Sequence, residues 1–205
     1  MNNIYRLCLV TDRSLAPAGR NLTDIVAAAV RGGVAMVQLR EKEATTRAFL
    51  EQARALKALL APLRIPLIVN DRVDIALAVD ADGVHVGQGD MPVAQVRALI
   101  GADKIIGLSI ANAIQIRQPD AGLADYLGVG PIFAQITKGD ASSPLGIAGF
   151  AAMRARAPAG KPVMAIGGVK AEHAVALRQA GADGLAVVSA IMASADAAGA
   201  ARGFG

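Results

Sequence analysis

The stretch Ile65-Pro-Leu-Ile-Val-Asn-Asp71, followed eleven positions on by Asp82-Gly-Val-His-Val-Gly-Gln-Gly-Asp90, decides the fold. Each part holds a short apolar run flanked by Pro or Gly, which is typical of a strand buried on both faces of a parallel sheet. Residues 73–79 between them are long enough for a crossover helix, and such strand–helix–strand units are right-handed with neighbouring strands. Asp71 and Asp90 should therefore project from the same edge of the sheet, close enough to share a divalent cation.

The same alternation of strand and helix continues along the whole chain. Strands are predicted at residues 5–10, 35–39, 67–70, 83–86, 104–108, 126–129, 163–166 and 185–188. Helices are predicted at residues 22–31, 45–61, 73–79, 92–100, 113–118, 150–156 and 171–180, with an alanine-rich helix after Ser189. A doubly wound sheet usually has fewer strands and a Gly-x-Gly-x-x-Gly turn after the first, and that turn is missing from the sequence. The pattern predicts an α/β protein, a single-domain (β/α)8 TIM barrel over residues 1–205.

Two segments depart from the alternation. Residues 130–146 form the longest irregular stretch and contain Pro131, Gly139 and Pro144. A loop of that length inside a compact domain is usually functional. Residues 200–205 show no pattern and are expected to fray.

The composition excludes several classes of protein. Hydrophobic residues make up 54% of the 205 residues, and the net charge of +4 is spread without a basic cluster, so nucleic acid is not an expected partner. No apolar run approaches the ~20 residues of a membrane span, and no signal peptide is recognisable. The lone Cys8 is expected to be a buried structural thiol. We therefore expect a soluble, cytoplasmic protein, and the sequence leaves open whether it forms a homo-oligomer.

Polar residues follow the predicted strands where a barrel places its active site, at the carboxyl ends. Carboxylates, an Asn and phosphate-binding cations together suit Mg²⁺, which prefers oxygen ligands and substrate phosphates. Glycines after the seventh strand would let a phosphate approach the backbone. The pattern indicates an enzyme acting on phosphorylated small molecules, with a Mg²⁺–diphosphate on one side and a monophosphate near strands seven and eight. The residues concerned are Gln38, Arg40, Lys42, Asn70, Asp71, Gln88, Asp90, Ser109, Thr137, Lys138, Gly167, Gly168 and Ser189.

Each of these residues also has an ordinary structural interpretation. Taken singly, Asp71 and Asp90 are better explained as caps of the helices that follow them, and Arg40 and Lys42 as solvated loop charges. His85 could line the barrel interior, although a hydrogen-bonded structural histidine is the favoured interpretation. His173 is expected on an exposed helix face. Two histidines so placed, without a Cys partner, argue against zinc, and the lack of a Gly-x-Ser-x-Gly elbow argues against acyl transfer.

A set of motifs spanning strand one to strand eight resembles the thiamine phosphate synthase family. The motifs occur in the family's order along the chain, so together they are far more specific than any one alone. They are Gln38-Leu-Arg-Glu-Lys42, Val69-Asn-Asp-Arg72, Gly83-Val-His-Val-Gly-Gln-Gly-Asp90, Gly107-Leu-Ser109, Gly128-Val-Gly-Pro-Ile-Phe133, Thr137-Lys138, Ala165-Ile-Gly-Gly-Val169 and Val187-Val-Ser-Ala-Ile191.

The resemblance implies a transferase that joins hydroxymethylpyrimidine diphosphate to a thiazole phosphate, with Mg²⁺ as cofactor. It implies a dissociative displacement in which diphosphate leaves and the thiazole nitrogen attacks the pyrimidine-methyl cation. Arg40, Lys42, Ser109 and Lys138 would carry the catalysis, and Asp71 and Asp90 would hold the metal. By position, the pyrimidine diphosphate would contact Gln38, Arg40, Lys42, Asn70, Ser109 and Lys138. The thiazole phosphate would contact Gln135, Ile136, Thr137, Gly167, Gly168, Val188 and Ser189, with Gln135 standing where the family usually has Thr.

Two other functions compete with this one. A thiazole tautomerase of the same superfamily would keep the thiazole-phosphate site without a diphosphate or metal site. It would want a proton-shuttling His near the end of strand five, where this chain has Ser109-Ile-Ala-Asn112. A non-catalytic phosphate-ligand sensor on a barrel scaffold is the second alternative, and the paired acids and cations disfavour both.

Overall fold

Eight parallel strands close into a barrel in the computed structural model, which describes residues 3–134 and 143–205. Each strand pairs with the next along the chain, and the last pairs with the first. The predicted TIM barrel is therefore confirmed. The strands are β1 (Leu7–Val10), β2 (Met36–Leu39), β3 (Leu67–Asn70), β4 (Gly83–Val86), β5 (Ile105–Ile110), β6 (Tyr126–Val129), β7 (Val163–Ile166) and β8 (Gly184–Val187).

Helices follow the strands and form the outer layer of the barrel. Apolar residues at helical spacing supply the buried face of each long helix, as Phe49, Ala53, Leu56 and Leu60 do in the second one. Within the described part of the chain, no helix has the length and apolar character needed to cross a membrane. The helices are α1 (Leu22–Arg31), α2 (Thr46–Leu60), α3 (Val73–Ala78), α4 (Val93–Ile100), α5 (Pro119–Leu123), α6 (Gly146–Arg154), α7 (Ala174–Gln179), α8 (Ser189–Met192) and α9 (Ala197–Arg202).

The region after β5 differs most from the predicted pattern. The helix expected at residues 113–118 is only a 3-10 turn at Gln115–Arg117, and the α-helix begins at Pro119. Proline lacks an N–H and is favoured in the first turn of a helix, so it starts this helix where it was expected to end one. β5 itself extends to Ile110, which places Ser109 inside the strand.

The carboxyl-terminal residues are ordered, and the expectation that residues 200–205 fray is wrong. Helix α9 lies against α1, and Phe204 is only 1% exposed. The approach is close because Gly32, after α1, has no side chain: a Cβ there would lie 2.3 Å from the Ala198 carbonyl oxygen. Burying one aromatic ring outweighs the weak local pattern that suggested fraying.

The amino-terminal rim of the barrel carries one arrangement three times. Asp82, Asp125 and Asp183 stand just before β4, β6 and β8. Each carboxylate accepts a backbone N–H from the preceding strand, at 2.9, 2.7 and 2.9 Å. Each also pairs with a cation from the preceding long helix, in the pairs Lys57–Asp82, Arg97–Asp125 and Arg154–Asp183, at 2.9, 2.6 and 3.4 Å. These acids tie helices to strands at the end opposite the expected site.

Alternate strand residues point into the barrel, and most of them are apolar. Cys8 is among them and is buried, as expected, and burial raises the pKa of its thiol to about 12. The interior becomes polar toward the carboxyl ends of the strands, where Gln38 and His85 are only 5% and 6% exposed. This polar layer forms the floor of a cavity.

Candidate active site

One cavity of about 590 Å³ opens at the carboxyl ends of the strands, and we refer to it as the mouth cavity. All but one of the described residues that the sequence predicted for the site line it. Gln88 does not, and its side-chain amide donates to the Ser109 carbonyl oxygen at 2.8 Å. Gln135, Ile136, Thr137 and Lys138 lie outside the described residues. The predicted residues that line the cavity are Gln38, Arg40, Lys42, Asn70, Asp71, Asp90, Ser109, Gly167, Gly168, Val188 and Ser189.

Asp71 and Asp90 lie side by side at the edge of this cavity. Asp71 adopts a left-handed backbone with φ of 61°, and its N–H donates to the His85 carbonyl oxygen at 2.8 Å. Burial, hydrogen bonding to Asp90 and the charge of Asp90 raise the pKa of Asp71 to about 6, while Arg40 and Lys42 act in the opposite direction. Two carboxylates this close repel each other unless a proton or a cation lies between them.

Neither acid caps a helix, so the structural interpretation of this pair is wrong. Helix α3 begins after Arg72 without a side-chain cap. The first N–H of α4, at Val93, donates to Asp120 at 3.1 Å rather than to Asp90. Asp90 instead accepts the Gly87 N–H at 2.7 Å, which fixes its carboxylate beside Asp71.

The donor set fits Mg²⁺. Both carboxylates offer only oxygen, which is the ligand that Mg²⁺ prefers, and the ion commonly binds through one or two carboxylates plus substrate phosphate and water. In the described ranges there is no cluster of three or more His, Cys, Asp or Glu, so the acids at the mouth would supply two ligands rather than a complete cage.

Arg40 and Lys42 line the same cavity on the side of β2. The backbone of Arg40 is anchored because its N–H donates to the buried Thr11 hydroxyl at 3.0 Å. None of the ion pairs among residues 3–134 and 143–205 involves Arg40, Lys42, Asp71 or Asp90. Arg40 is half-buried and Lys42 is exposed, so an anion bound in the cavity would be within reach of both cations.

The opposite side of the cavity is made of backbone. Gly167 and Gly168 have φ of 96° and 68°, and a Cβ at Gly168 would lie 2.8 Å from that of Phe133, so glycine is required there. Val188 and Ser189 stand at the start of α8 beside them. Exposed backbone N–H groups at such a place can receive a phosphate.

The two histidines differ from what was expected. His85 combines both interpretations, because it faces the barrel interior and also hydrogen-bonds through both ring nitrogens. His173 does not lie on an exposed helix face. Its ring stacks on Phe133 with a centroid distance of 3.9 Å, and its Nδ1 accepts the Lys170 N–H at 3.1 Å. The aromatic contact ties the segment after β6 to the segment after β7.

Sequence reasoning missed two polar residues of the mouth cavity, Asp12 and Lys170, which both line it. Asp12 could have been found, because it lies two residues after the first predicted strand, much as Asp71 lies one residue after the third. Lys170 has no signal in the sequence beyond its position shortly after the Gly-Gly pair.

Comparison with known proteins gives a consistent family. A family described as thiamine monophosphate synthase matches residues 7–191. The thiamine-phosphate synthase of Syntrophomonas wolfei is 50% identical over 98% of this chain and 95% of its own, and that of Azorhizobium caulinodans is 53% identical over 96% and 91%. The solved thiamine phosphate pyrophosphorylase of Pyrococcus furiosus superposes with a TM-score of 0.87 at 35% identity, covering 98% and 94% of the two chains.

Proposed function

The chain belongs to the thiamine monophosphate synthase family, and we propose how the residues of its mouth cavity carry out the family's reaction. It is a transferase of thiamine biosynthesis that condenses hydroxymethylpyrimidine diphosphate with thiazole phosphate to form thiamine phosphate and diphosphate. The observation that carries the assignment of residues is the pair of adjacent acids, Asp71 and Asp90, which line the same cavity as Arg40 and Lys42, with the two positive charges close enough to act on Asp71.

In this proposal the diphosphate lies between the acids and the cations. Arg40 and Lys42 bind its oxygens directly, and Lys138 adds a third positive charge from the loop after β6. Gln38, Asn70 and Ser109, from β2, β3 and β5, hold the rest of the pyrimidine diphosphate. Strand ends place these groups more rigidly than loops would, which keeps the leaving group oriented.

Asp71 and Asp90 would hold Mg²⁺ against the same diphosphate. Bound there, the ion would supply Lewis-acid stabilisation of the negative charge on the leaving group. The raised pKa of Asp71 supports this role, because burial of the carboxyl is its main cause and the neighbouring Asp90 adds to it, and a bound cation would offset both effects.

The thiazole phosphate would bind on the opposite side. The backbone at Gly167, Gly168, Val188 and Ser189 receives its phosphate, and Gln135, Ile136 and Thr137 complete the contact. Lys170, which lines the cavity on this side, adds positive charge near that phosphate. The two substrates then approach each other across the cavity floor.

The reaction we propose is a dissociative displacement. The bond between the pyrimidine methylene carbon and the diphosphate oxygen breaks, and the bonding electrons leave with the diphosphate. The thiazole nitrogen then donates its lone pair to the carbon. Arg40, Lys42 and Lys138 stabilise the charge that develops on the leaving oxygen. The step requires no general base.

Purified protein, both substrates and Mg²⁺ provide the direct test. We expect thiamine phosphate and diphosphate in equal amounts, and loss of both products when EDTA removes the metal. Formation of an isomerised thiazole phosphate without metal, and no thiamine phosphate, would instead favour the tautomerase. Phosphate-ligand binding without any product would favour the sensor.

A further inference from the structure

One pair of aromatic residues contacts both ends of the turn that follows β7, residues 167–170, which we call the β7 turn. At one end, the Phe133 N–H donates to the Gly167 carbonyl oxygen at 2.9 Å. At the other end, the Lys170 N–H donates to His173 Nδ1 at 3.1 Å. The Phe133 and His173 rings lie against each other with their centroids 3.9 Å apart. The turn and these two residues therefore form a closed circle of contacts.

The β7 turn has few means of keeping its own conformation. Gly167 and Gly168 have φ of 96° and 68°, in the left-handed region. Glycine has more backbone freedom to lose on folding than any other residue, so two in succession are costly to order. Phe133 limits that freedom by packing directly on the turn, since a Cβ on Gly168 would lie 2.8 Å from the Phe133 Cβ. The conformation of the glycines therefore depends on residues outside the turn.

The hydrogen bond from Phe133 also sets the direction of the peptide between the two glycines. In a trans peptide the C=O and the N–H point in opposite directions. Because the Gly167 carbonyl is directed at Phe133, the Gly168 N–H points away from it. Of these two described residues, Gly168 lines the mouth cavity and Phe133 does not. Within residues 3–134 and 143–205 the Gly168 N–H donates to no other backbone group, so it is available to a ligand in the cavity.

His173 makes its two contacts with different parts of one side chain. Nδ1 accepts the Lys170 N–H only when it carries no proton, which leaves the ring proton on Nε2. Nε2 faces the neighbouring Glu172, whose Oε1 lies 3.5 Å away. A phenylalanine at this position would keep the aromatic contact with Phe133 alone, and an asparagine would keep an acceptor for the Lys170 N–H alone.

We propose that His173 is a positioning residue that keeps the β7 turn in the conformation that receives the thiazole phosphate. The inference rests on the proposed function, which places that phosphate at Gly167 and Gly168, and deepens it. Among the described residues, His173 is not one that lines the mouth cavity, so it acts through Lys170 and Phe133 rather than by touching the substrate. Without its two contacts the peptide between the glycines turns more freely, and binding of the phosphate must first order it. Affinity for thiazole phosphate is then lower.

His173→Ala removes both contacts and gives the largest expected effect. We expect KM for thiazole phosphate to rise about tenfold, because each contact is of the size of one hydrogen bond or one aromatic pair. KM for the pyrimidine diphosphate should stay unchanged, and so should kcat at saturating thiazole phosphate. A loss of stability alone would change neither KM, so the difference between the two substrates identifies a positioning role. Steady-state kinetics with each substrate varied in turn measures it.

Two further variants separate the two contacts. His173→Phe keeps the aromatic contact, and His173→Asn keeps an acceptor for the Lys170 N–H. Each should restore part of the affinity lost in His173→Ala, with KM for thiazole phosphate raised only about threefold. Calorimetric titration with thiazole phosphate, in the presence of inorganic diphosphate and Mg²⁺, should give the same order of affinities without turnover.

Glu172→Gln is the matched control. Glu172 precedes His173, is exposed and faces Nε2 rather than the β7 turn. The variant should keep the wild-type KM for both substrates. An unchanged KM for thiazole phosphate in His173→Ala would overturn the inference, as would an equal rise for both substrates or an equal rise in Glu172→Gln.

Two other outcomes are distinct from these. If His173→Ala does not fold, an unchanged KM for thiazole phosphate in both His173→Phe and His173→Asn overturns the inference. If the wild-type protein makes no thiamine phosphate, the proposed function itself fails, and that result depends on no variant.

Discussion

The two ends of the barrel use aspartate in opposite ways. At the amino-terminal rim, Asp82, Asp125 and Asp183 each accept a strand N–H and pair with a cation from a helix. At the mouth, Asp71 and Asp90 lie next to each other, and burial together with that contact raises the pKa of Asp71. The first arrangement lowers the free energy of the folded chain, whereas the second raises it until a cation binds.

The contrast indicates which acids are built for stability and which for function. A carboxylate that already accepts a backbone N–H and pairs with a cation of the same chain is not available to bind a ligand. Two carboxylates that repel each other raise the free energy of the folded protein. A cation that binds between them removes this repulsion, which favours its binding. The same substitution at the two ends should therefore have opposite effects on activity and stability.

Asp71→Asn should produce the largest effect. It removes a metal ligand and one of the two charges that repel each other, so we expect kcat/KM to fall about a hundred- to a thousandfold. The free energy of unfolding at neutral pH should not fall. Product formation under saturating Mg²⁺ and urea unfolding measure the two quantities.

A matched control comes from the same segment. Asp74 is exposed and pairs with Arg72 at 2.6 Å, outside the mouth cavity. Asp74→Asn should keep wild-type activity. Activity retained in Asp71→Asn, or lost equally in Asp74→Asn, would refute the metal assignment.

Gly107→Ala should have the next largest effect and should affect both properties. The added methyl meets Tyr126 and His85 inside the barrel, and overpacking of this kind costs about 3 kcal/mol. Because the displaced His85 ring hydrogen-bonds to Ser109 at 2.8 Å, KM for the pyrimidine substrate should also rise. Gly122→Ala is the control, since a Cβ there meets nothing within 4 Å. Equal behaviour of the two variants would show that the floor is not tightly packed.

The fold was largely predictable because its signals are local and repeated. The runs at residues 67–70 and 83–86 are apolar, short and bounded by Pro and Gly, and both strands have the predicted bounds. The tail was not predictable, because α9 packs against α1, which is distant in the sequence, and Phe204 is buried in the core of the folded barrel. Likewise, Pro119 marks a helix boundary in the sequence without showing on which side the helix lies.

Asp125→Asn should have a smaller effect, confined to stability. The amide keeps an acceptor for the Ile106 N–H but loses the charge that pairs with Arg97 at 2.6 Å. A partly exposed pair of this kind contributes about 1 kcal/mol, so the free energy of unfolding should fall by about that amount. Steady-state kinetics should match the wild type. A kinetic defect without a stability loss would contradict the separation between the two ends.

The site residues that could be predicted are those that lie just after the carboxyl end of a strand. Position after a strand identified Asp71, Asp90, Arg40 and Lys42, which do meet in one cavity. The hydrogen bonds from His85 to Ser109 and Tyr126 were not predictable, because they join β4 to β5 and β6 inside the barrel, and no sequence period reports which inward side chains touch. The roles of the lining residues remain predictions until the variants are measured.

The pH dependence of stability should show the smallest effect and bears directly on the repulsion at the mouth. The folded-state pKa of Asp71 is raised from 3.8 to about 6, so its stabilising contribution is complete below about pH 4 and is lost as the pH rises through 6. Asp71→Asn carries no such charge, so the two proteins should be nearly equal in stability at about pH 4. The variant should then become the more stable one by about pH 7. Because the Asp71 carboxyl is only partly withdrawn from solvent, which screens its charge, the difference should stay below about 1 kcal/mol. Adding Mg²⁺ should cancel it in the wild type at neutral pH and change little at about pH 4, where Asp71 is already protonated. If the wild type gains stability relative to the variant as the pH rises without metal, the two acids do not repel each other and the contrast between the two ends of the barrel is lost.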